Sequence, residues 1–290
     1  MSGAAANIFA TGAPRWRRPS PRYVRWLIVV VLVVLWEALP RAGLVPVLFL
    51  PPLSETLRAG LGDIGEYADA LKVTLYEIAA AMVFACGGGI VAGAVIGGLP
   101  PLRRLLIPLA SSLYAVPIVV LYPVFTAWLG IGPEAKICFA AVYGFFPTLL
   151  GTAAGIRTID PHYLIAARSM GATLPQRVVR VIIPAAMPTV LSGLRLGGAL
   201  VIVGVVVAEM LTSSAGVGYL ISRYRTMLDS PHVFAAILLV LALAVAFDGA
   251  VKLVERRTAK WRFAGRRARE AEPDRLVADD IRALARTTQA

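Results

Sequence analysis

Residues 157–188 read RTIDPHYLIAARSMGATLPQRVVRVIIPAAMP, a stretch too polar to cross a bilayer and yet strongly patterned for helix. Asp160 is placed to cap a helix whose first residue is Pro161, a position where the missing N–H costs nothing. The spacing predicts that this helix runs to about Met170 and ends at Gly171, the residue type that best tolerates a left-handed cap. Thr173 and Pro175 read as the start of a second helix through 181–183, which Pro184 is expected to stop. Tyr163, Ala166, Ala167 and Met170 recur at i, i+3, i+4 and i+7, a small-residue stripe with an aromatic at one end. A short helix, a glycine turn and another helix make a rigid knob.

Apolar runs at 135–156 and 185–211 flank the knob, and four more lie at 23–39, 73–99, 105–129 and 233–253. Each is close to the roughly 20 residues that a membrane-spanning helix needs. Composition agrees. Hydrophobic residues make up 58% and charged residues 16% of 290, with a mean hydropathy of +0.74; a soluble domain carries about 25% charged and 45–50% apolar residues. The runs are long and nearly uncharged, unlike the alternating ~10-residue segments of an outer-membrane barrel. The fold expected is all-α: a polytopic membrane bundle of about six transmembrane helices with a helix–glycine–helix loop in the cytoplasm.

A net charge of +12 could suggest nucleic acid, but its distribution follows topology instead. With both termini inside, 22 of the 29 Lys and Arg fall on the cytoplasmic side and six outside, and Arg195 lies within the fifth span. That is the asymmetry of the positive-inside rule, and it predicts both termini in the cytoplasm. The leader with Arg15, Arg17, Arg18 and Arg22 resembles a signal peptide, but no small-x-small site follows, so a retained anchor is expected. Residues 274–285 could form a short amphipathic helix in a solvated tail.

Residues able to carry chemistry are few. There is no GxSxG, no HExxH and no GxxxxGK[ST], so the chain shows neither a hydrolase signature nor a phosphate-binding loop of its own. Cys86 and Cys138 lie in apolar segments without CxxC spacing, and His162 and His232 are isolated, so no metal site assembles. Gly89, Gly93 and Gly97 share a face on which a neighbouring helix can approach closely. Ionisable groups in lipid are functional candidates by default: Glu77, Arg195 and Glu209 could line a polar pathway or pair between helices, with Glu37 at a span end. Asp248, Lys252 and Glu255 read as a salt-bridged interfacial face. Pro117 and Pro123 should bend or break the third span, and such breaks are tolerated beside protein or a water-filled cavity. Pro147 adds to this in the fourth.

The loop resembles the EAA loop of binding-protein-dependent ABC importer permeases, whose pattern is EAA, three residues, Gly, nine residues, then IxLP. Here it runs Ile165-Ala166-Ala167, three residues, Gly171, nine residues, then Val181-Ile182-Ile183-Pro184. The departure is Ile165 where the family has Glu, which removes any ion pair that acid would make. The stretches LWEALPRAGLVPVLFLPP, WLGIGPEAKI, FFPTLLGTAAGIRTIDP, AEMLTSSAGVGYLI and VERRTAKWR look like the subgroup importing sulfonates, taurine and nitrate. Together the resemblance covers roughly residues 35–262.

The resemblance implies a transport subunit and not an enzyme, with a cytoplasmic tail at 1–22, a first span and periplasmic segment at 23–68, a permease domain at 69–256 and a second tail at 257–290. It implies an inner-membrane assembly of two permease copies as a homodimer, two ATP-binding subunits and a periplasmic or lipid-anchored solute-binding protein. ATP would sit on the partner ATPase and no cofactor on this chain. Ile165, Ala166, Ala167, Gly171, Val181, Ile183 and Pro184 would form the docking loop for the ATPase, with Ala166 and Ala167 letting the helix lie close. The solute implied is a small anion. An ion-gradient-driven secondary transporter is the alternative; it would predict inverted repeats and a midplane ionisable group. A membrane-embedded enzyme ranks below both, for want of a catalytic constellation.

Overall fold

A computed structural model describes residues 20–258; the basic leader and the 274–285 segment lie outside the described residues. Every regular element described is helical. Five helices are long and apolar enough to cross a membrane: 23–41, 64–98, 133–157, 174–212 and 230–257. Two further helices, α5 (Pro100–Tyr114) and α6 (Tyr122–Leu129), the latter entered through a 3₁₀ turn at Ile118–Leu121, meet at 79° and make a sixth span if taken as one.

The helix α1 (Pro21–Arg41) leaves its apolar side chains exposed along most of its length, as a lipid-facing helix does. It is anchored at its C-terminal end. Trp36 Nε1 donates to the Pro51 carbonyl at 3.0 Å, and Glu37 accepts from the Ser54 N–H at 3.0 Å and its hydroxyl at 2.8 Å. Ser54 lies in the first turn of α2 (Leu53–Gly62), so Glu37 satisfies an end donor that the helix cannot bond itself. Glu37 is thereby a cap.

The second span begins at Ile64, nine residues before the apolar run at 73, because the amphipathic stretch ahead of that run is helical too. It continues as α3 (Ile64–Met82), a π-turn at Val83–Gly87 and α4 (Gly88–Gly98). Thirty-five residues at about 1.5 Å each make roughly 52 Å, more than the ~30 Å of hydrocarbon, so its first turns reach beyond it. In the third span the break falls at 115–117, at Pro117. Pro123 does not break a helix; it sits in the first turn of α6, where its lost N–H has no partner to miss.

The centre of the bundle is α7 (Pro133–Arg157), continuous through Pro147 and packed most extensively on α10 (Ile183–Thr212) and α4. Glycine decides this packing. A Cβ at Gly93 would stand 2.5 Å from the Leu149 carbonyl oxygen and 2.7 Å from Thr152 Cβ; one at Gly89 would meet Thr148, and one at Gly97 the Ala153 backbone. The expected glycine face of α4 is therefore where α7 lies. On the other side Gly151 and Gly193 put the α7 and α10 backbones in direct contact. Between α10 and α12 (Ser230–Thr258) a short helix, α11 (Val217–Thr226), fills a wedge, burying Val217, Leu220, Ile221 and Tyr224 against Tyr67, Val206 and Ala236.

Candidate functional site: a loop knob and a polar cavity

Two places on the bundle carry features that packing alone does not require. At one end the α7–α10 connection forms the knob. Its first helix is α8 (Pro161–Ser169), and the Asp160 carboxylate accepts the His162 N–H at 2.9 Å. Gly171 has φ +73°; its N–H donates to the Arg168 carbonyl at 2.9 Å, and the Ala172 N–H donates to Ala167 at 3.0 Å. Those two bonds are a Schellman closure, which satisfies the last carbonyls of α8. Thr173 and Gln176 cap each other's backbone donors in a capping box, and α9 (Leu174–Arg177) begins.

Pro184 does not stop this second helix. The chain passes through a π-turn at Val178–Ile182, whose Ile183 N–H reaches the Val178 carbonyl, and continues as α10 without interruption to Thr212. The wide turn shifts the bonding register just before Pro184, so the ring enters in a first turn and not against an i−4 carbonyl. Knob and span are one helix of 39 residues.

Tyr163, Met170 and Leu174 are exposed on the knob, as is Ile165 at 57%. Ala166 is also exposed, whereas Ala167 is buried. Of the small pair, only Ala166 faces outward. Val181 and Pro184 are half-buried and Ile183 exposed. Near this end Arg195 bonds Asp248 at 3.2 Å and Glu255 at 2.8 Å, and Lys252 pairs with Asp248. The salt-bridged face of α12 thus includes Arg195 of α10.

At the opposite end lies a cavity of about 520 Å³ lined in part by Lys72, Tyr76, Glu77, Tyr122, Lys136, Thr212 and Ser213. Behind its wall sits a polar cluster. Lys136 is buried, ion-paired with Glu77, and donates to Ser213 Oγ at 3.0 Å. Tyr122 shares a 2.7 Å hydrogen bond with Thr212. Glu209 is fully buried and accepts from the Thr74 hydroxyl and the Gly218 N–H, both at 2.7 Å, while the Val217 N–H donates to Thr74 Oγ1 at 2.9 Å. Val217 and Gly218 open α11, so Glu209 and Thr74 together cap it, and the carboxylate gains from the positive end of the helix. Elsewhere on α11, Tyr224 and Arg223 both bond Glu66. Burial, reinforced by that carboxylate, pushes the Tyr224 hydroxyl up to about 12, so it stays a donor.

Of the three pathway candidates, Glu77 lines the cavity, Glu209 holds α11 in place and Arg195 lies near the knob end. Sequence reading missed Lys136, counted as an outside loop charge, and with it Thr74, Tyr122 and Ser213. Lys136 is in the first turn of α7, within an apolar run, and that placement was the available signal. Among the described residues no group of three or more His, Cys, Asp or Glu comes together as a metal ligand set.

Residues 87–260 match the family described as "Binding-protein-dependent transport system inner membrane component". The chain is 32% identical over 266 residues to SsuC of Bacillus subtilis (strain 168), named for aliphatic sulfonate transport, covering 89% of this chain and 96% of that one. It is 29% identical to the taurine transport system permease protein TauC of Escherichia coli (strain K12), covering 85% and 93%. Inward-facing MetNI, a methionine ABC transporter, shares the fold with a TM-score of 0.60 at 18% identity, over 67% of this chain and 97% of that one. Family membership decides against the secondary-transporter alternative. Permeases of this family carry no ATPase domain and bind no cofactor, ATP being used by a partner ATPase. The chain belongs to the permease components of binding-protein-dependent ABC importers, multi-pass proteins of the inner membrane.

Proposed function

We propose that two copies of this chain form the pathway of an importer that moves a small anionic solute, of the alkanesulfonate, taurine or nitrate type, from periplasm to cytoplasm. Both termini face the cytoplasm, two ATP-binding subunits sit beneath, and a periplasmic or lipid-anchored solute-binding protein delivers the solute. The observation that carries this reading is the knob. A capped helix–glycine–helix with Tyr163, Ile165, Met170 and Leu174 exposed is costly to leave in water, and it is continuous with a membrane-length helix. Docked in a groove of the ATPase, it passes the closure of the ATP-binding subunits directly into α10. With Ile165 in the place of an acid, that contact is apolar. The solute class is supported by the names of the two relatives.

The test is a mild-detergent pull-down of the tagged full chain from its host, with mass spectrometry of its partners and a ligand thermal-shift panel on any binding protein recovered. An ATPase and a binding protein stabilised by a sulfonate or nitrate are expected. Recovery of the chain alone, under conditions that keep a known ABC importer together, defeats the docking reading; stabilisation only by cationic solutes defeats the substrate class.

A further inference from the structure

The cluster behind the cavity does not balance its charge. Glu77 (1% exposed), Glu209 (0%) and Lys136 (5%) bring two carboxylates and one ammonium into one buried site. Lys136 serves Glu77 Oε1 and Ser213, and Glu209 takes the Thr74 hydroxyl and the Gly218 N–H. Glu77 Oε2 is buried with no donor. Glu77 lies one turn from Thr74 on α3, and the Thr74 hydroxyl bonds Glu209, so the two carboxyl groups share one buried site. A buried acceptor without a donor is destabilising, and like charges sharing a site do not both stay ionised. A metal ion is a poor answer, since no ligand set converges there among the described residues and Lys136 already supplies the local cation.

We propose that Glu77 and Glu209 form a buried proton-binding site, in which one proton taken up through the cavity is held between the two carboxyl groups. That proton is the donor Glu77 Oε2 lacks, and it reduces the pair to a single negative charge that Lys136 balances. The groups facing the site are Thr74 and Glu77 from α3, Lys136 from α7, Glu209 from α10, Tyr122 from α6 and the first N–H groups of α11. Among these the carboxyl pair carries the excess negative charge, so it is the pair that takes up the proton. The protonated pair holds α3, α7, α10 and α11 together at this end; without the proton, two charges repel across the α3–α10 contact.

Unfolded glutamates lose their proton near about pH 4.3. Above that the folded chain holds one proton more than the unfolded one, so stability falls as pH rises. The folded-to-unfolded ratio drops about tenfold per pH unit until the site itself deprotonates. The experiment is the melting of the full chain in lipid nanodiscs across that range, for wild type and Glu77→Gln, whose amide provides a permanent donor. Glu77→Gln is expected to lose one proton's worth of slope, tenfold per unit. Infrared difference spectra keep the test open if the variant folds poorly: raising the pH should remove a protonated-carboxyl band in wild type, and in Glu134→Gln, an exposed control, equally. Absence of that band in wild type overturns the proposal, as does an unchanged slope in Glu77→Gln. Stabilisation by sodium or potassium over choline, lost in Glu77→Gln, would put a metal ion there and overturn it equally.

Discussion

Gly171 offers a test of the knob in which backbone and side-chain effects separate. Its φ is +73°, and a Cβ built on it meets nothing within 4 Å. Substitution therefore causes no clash within the chain, and its whole cost is the left-handed conformation, about 1–2 kcal/mol for an ordinary L-residue and more for a β-branched one. Asn tolerates that conformation and should cost far less. If the knob must hold this turn to dock, strain of about 1.4 kcal/mol lowers its docking-competent fraction by up to tenfold, and apparent affinity for the ATPase falls in proportion. Gly171→Ala should weaken ATPase binding several-fold, Gly171→Val tenfold or more, and Gly171→Asn little. The readout is the affinity of the nanodisc-embedded chain for its purified ATPase, with melting of the bundle as a control that stays near wild type. Gly171→Asn as damaging as Gly171→Val would refute the reasoning, because the defect would then lie in adding any side chain to the interface. Wild-type affinity in Gly171→Val would remove the turn from the mechanism altogether.

Gly93→Ala places a methyl group 2.5 Å from a backbone oxygen of α7 and should destabilise by about 1–3 kcal/mol, a fall in melting temperature of roughly 2–4 °C per kcal/mol. Gly249→Ala, with nothing within 4 Å, should instead be neutral or gain up to about 1 kcal/mol from helix propensity. Lys136→Met leaves Glu77 buried without its cation and should cost about 3–5 kcal/mol, read as loss of folded protein on size-exclusion in detergent. Arg195→Ala removes an ion network whose side chains are a third exposed, and should cost no more than about 1 kcal/mol by melting.

The legible parts of this chain are those whose physics is local or periodic. A run of about 20 apolar residues announces a span regardless of its partners. Gly89, Gly93 and Gly97 announce a contact face because only the spacing matters, although nothing in the spacing says that α7 fills it. Asp160, Gly171 and Thr173 each act within a few residues, and so the caps of the knob could be read directly. The polar cluster could not. Thr74 meets Glu209 across 135 positions, and Lys136 meets Glu77 from another span. No periodicity encodes such pairs, and Lys136, one residue inside an apolar run, carries no local sign of a partner on another helix. Pro184 failed as a stop for a related reason: whether a proline breaks a helix depends on the hydrogen-bond register before it, and a π-turn there is invisible in composition.

The helix that carries the knob also ends in the cluster, and this ties the two sites together mechanically. From Leu174 to Thr212 the chain is one helix with Glu209 in its last turn and Ser213 just beyond it, and the π-turn at Val178–Ile182 is its one departure from regular α geometry. Along α7 it is held by Gly151 on Gly193 and by Gly197 on Gly144, contacts between backbones that have no side chains to yield, with Thr148 packed on Gly197 beside them. The helices cannot slide past one another without losing close packing over their whole length. A displacement imposed on the knob must then either be absorbed at the π-turn or arrive at Glu209 as a rigid movement of α10 with α7 and α4. What receives it is α11, whose first two N–H groups are held by Thr74 of α3 and Glu209 of α10. Moving α10 relative to α3 separates those two caps and releases the start of α11. Thr74→Val deletes the α3 half of that clamp while keeping side-chain volume. It should leave the knob's affinity for the ATPase unchanged and raise hydrogen exchange at Val217 and Gly218 by at least about tenfold, since the Val217 amide loses its acceptor, a bond of about 1.4 kcal/mol, and Glu209, which holds the Gly218 amide, loses the Thr74 hydroxyl. Unaltered exchange at those two amides would mean that α11 is held by its apolar face alone, and the clamp would have no part in transmitting the stroke.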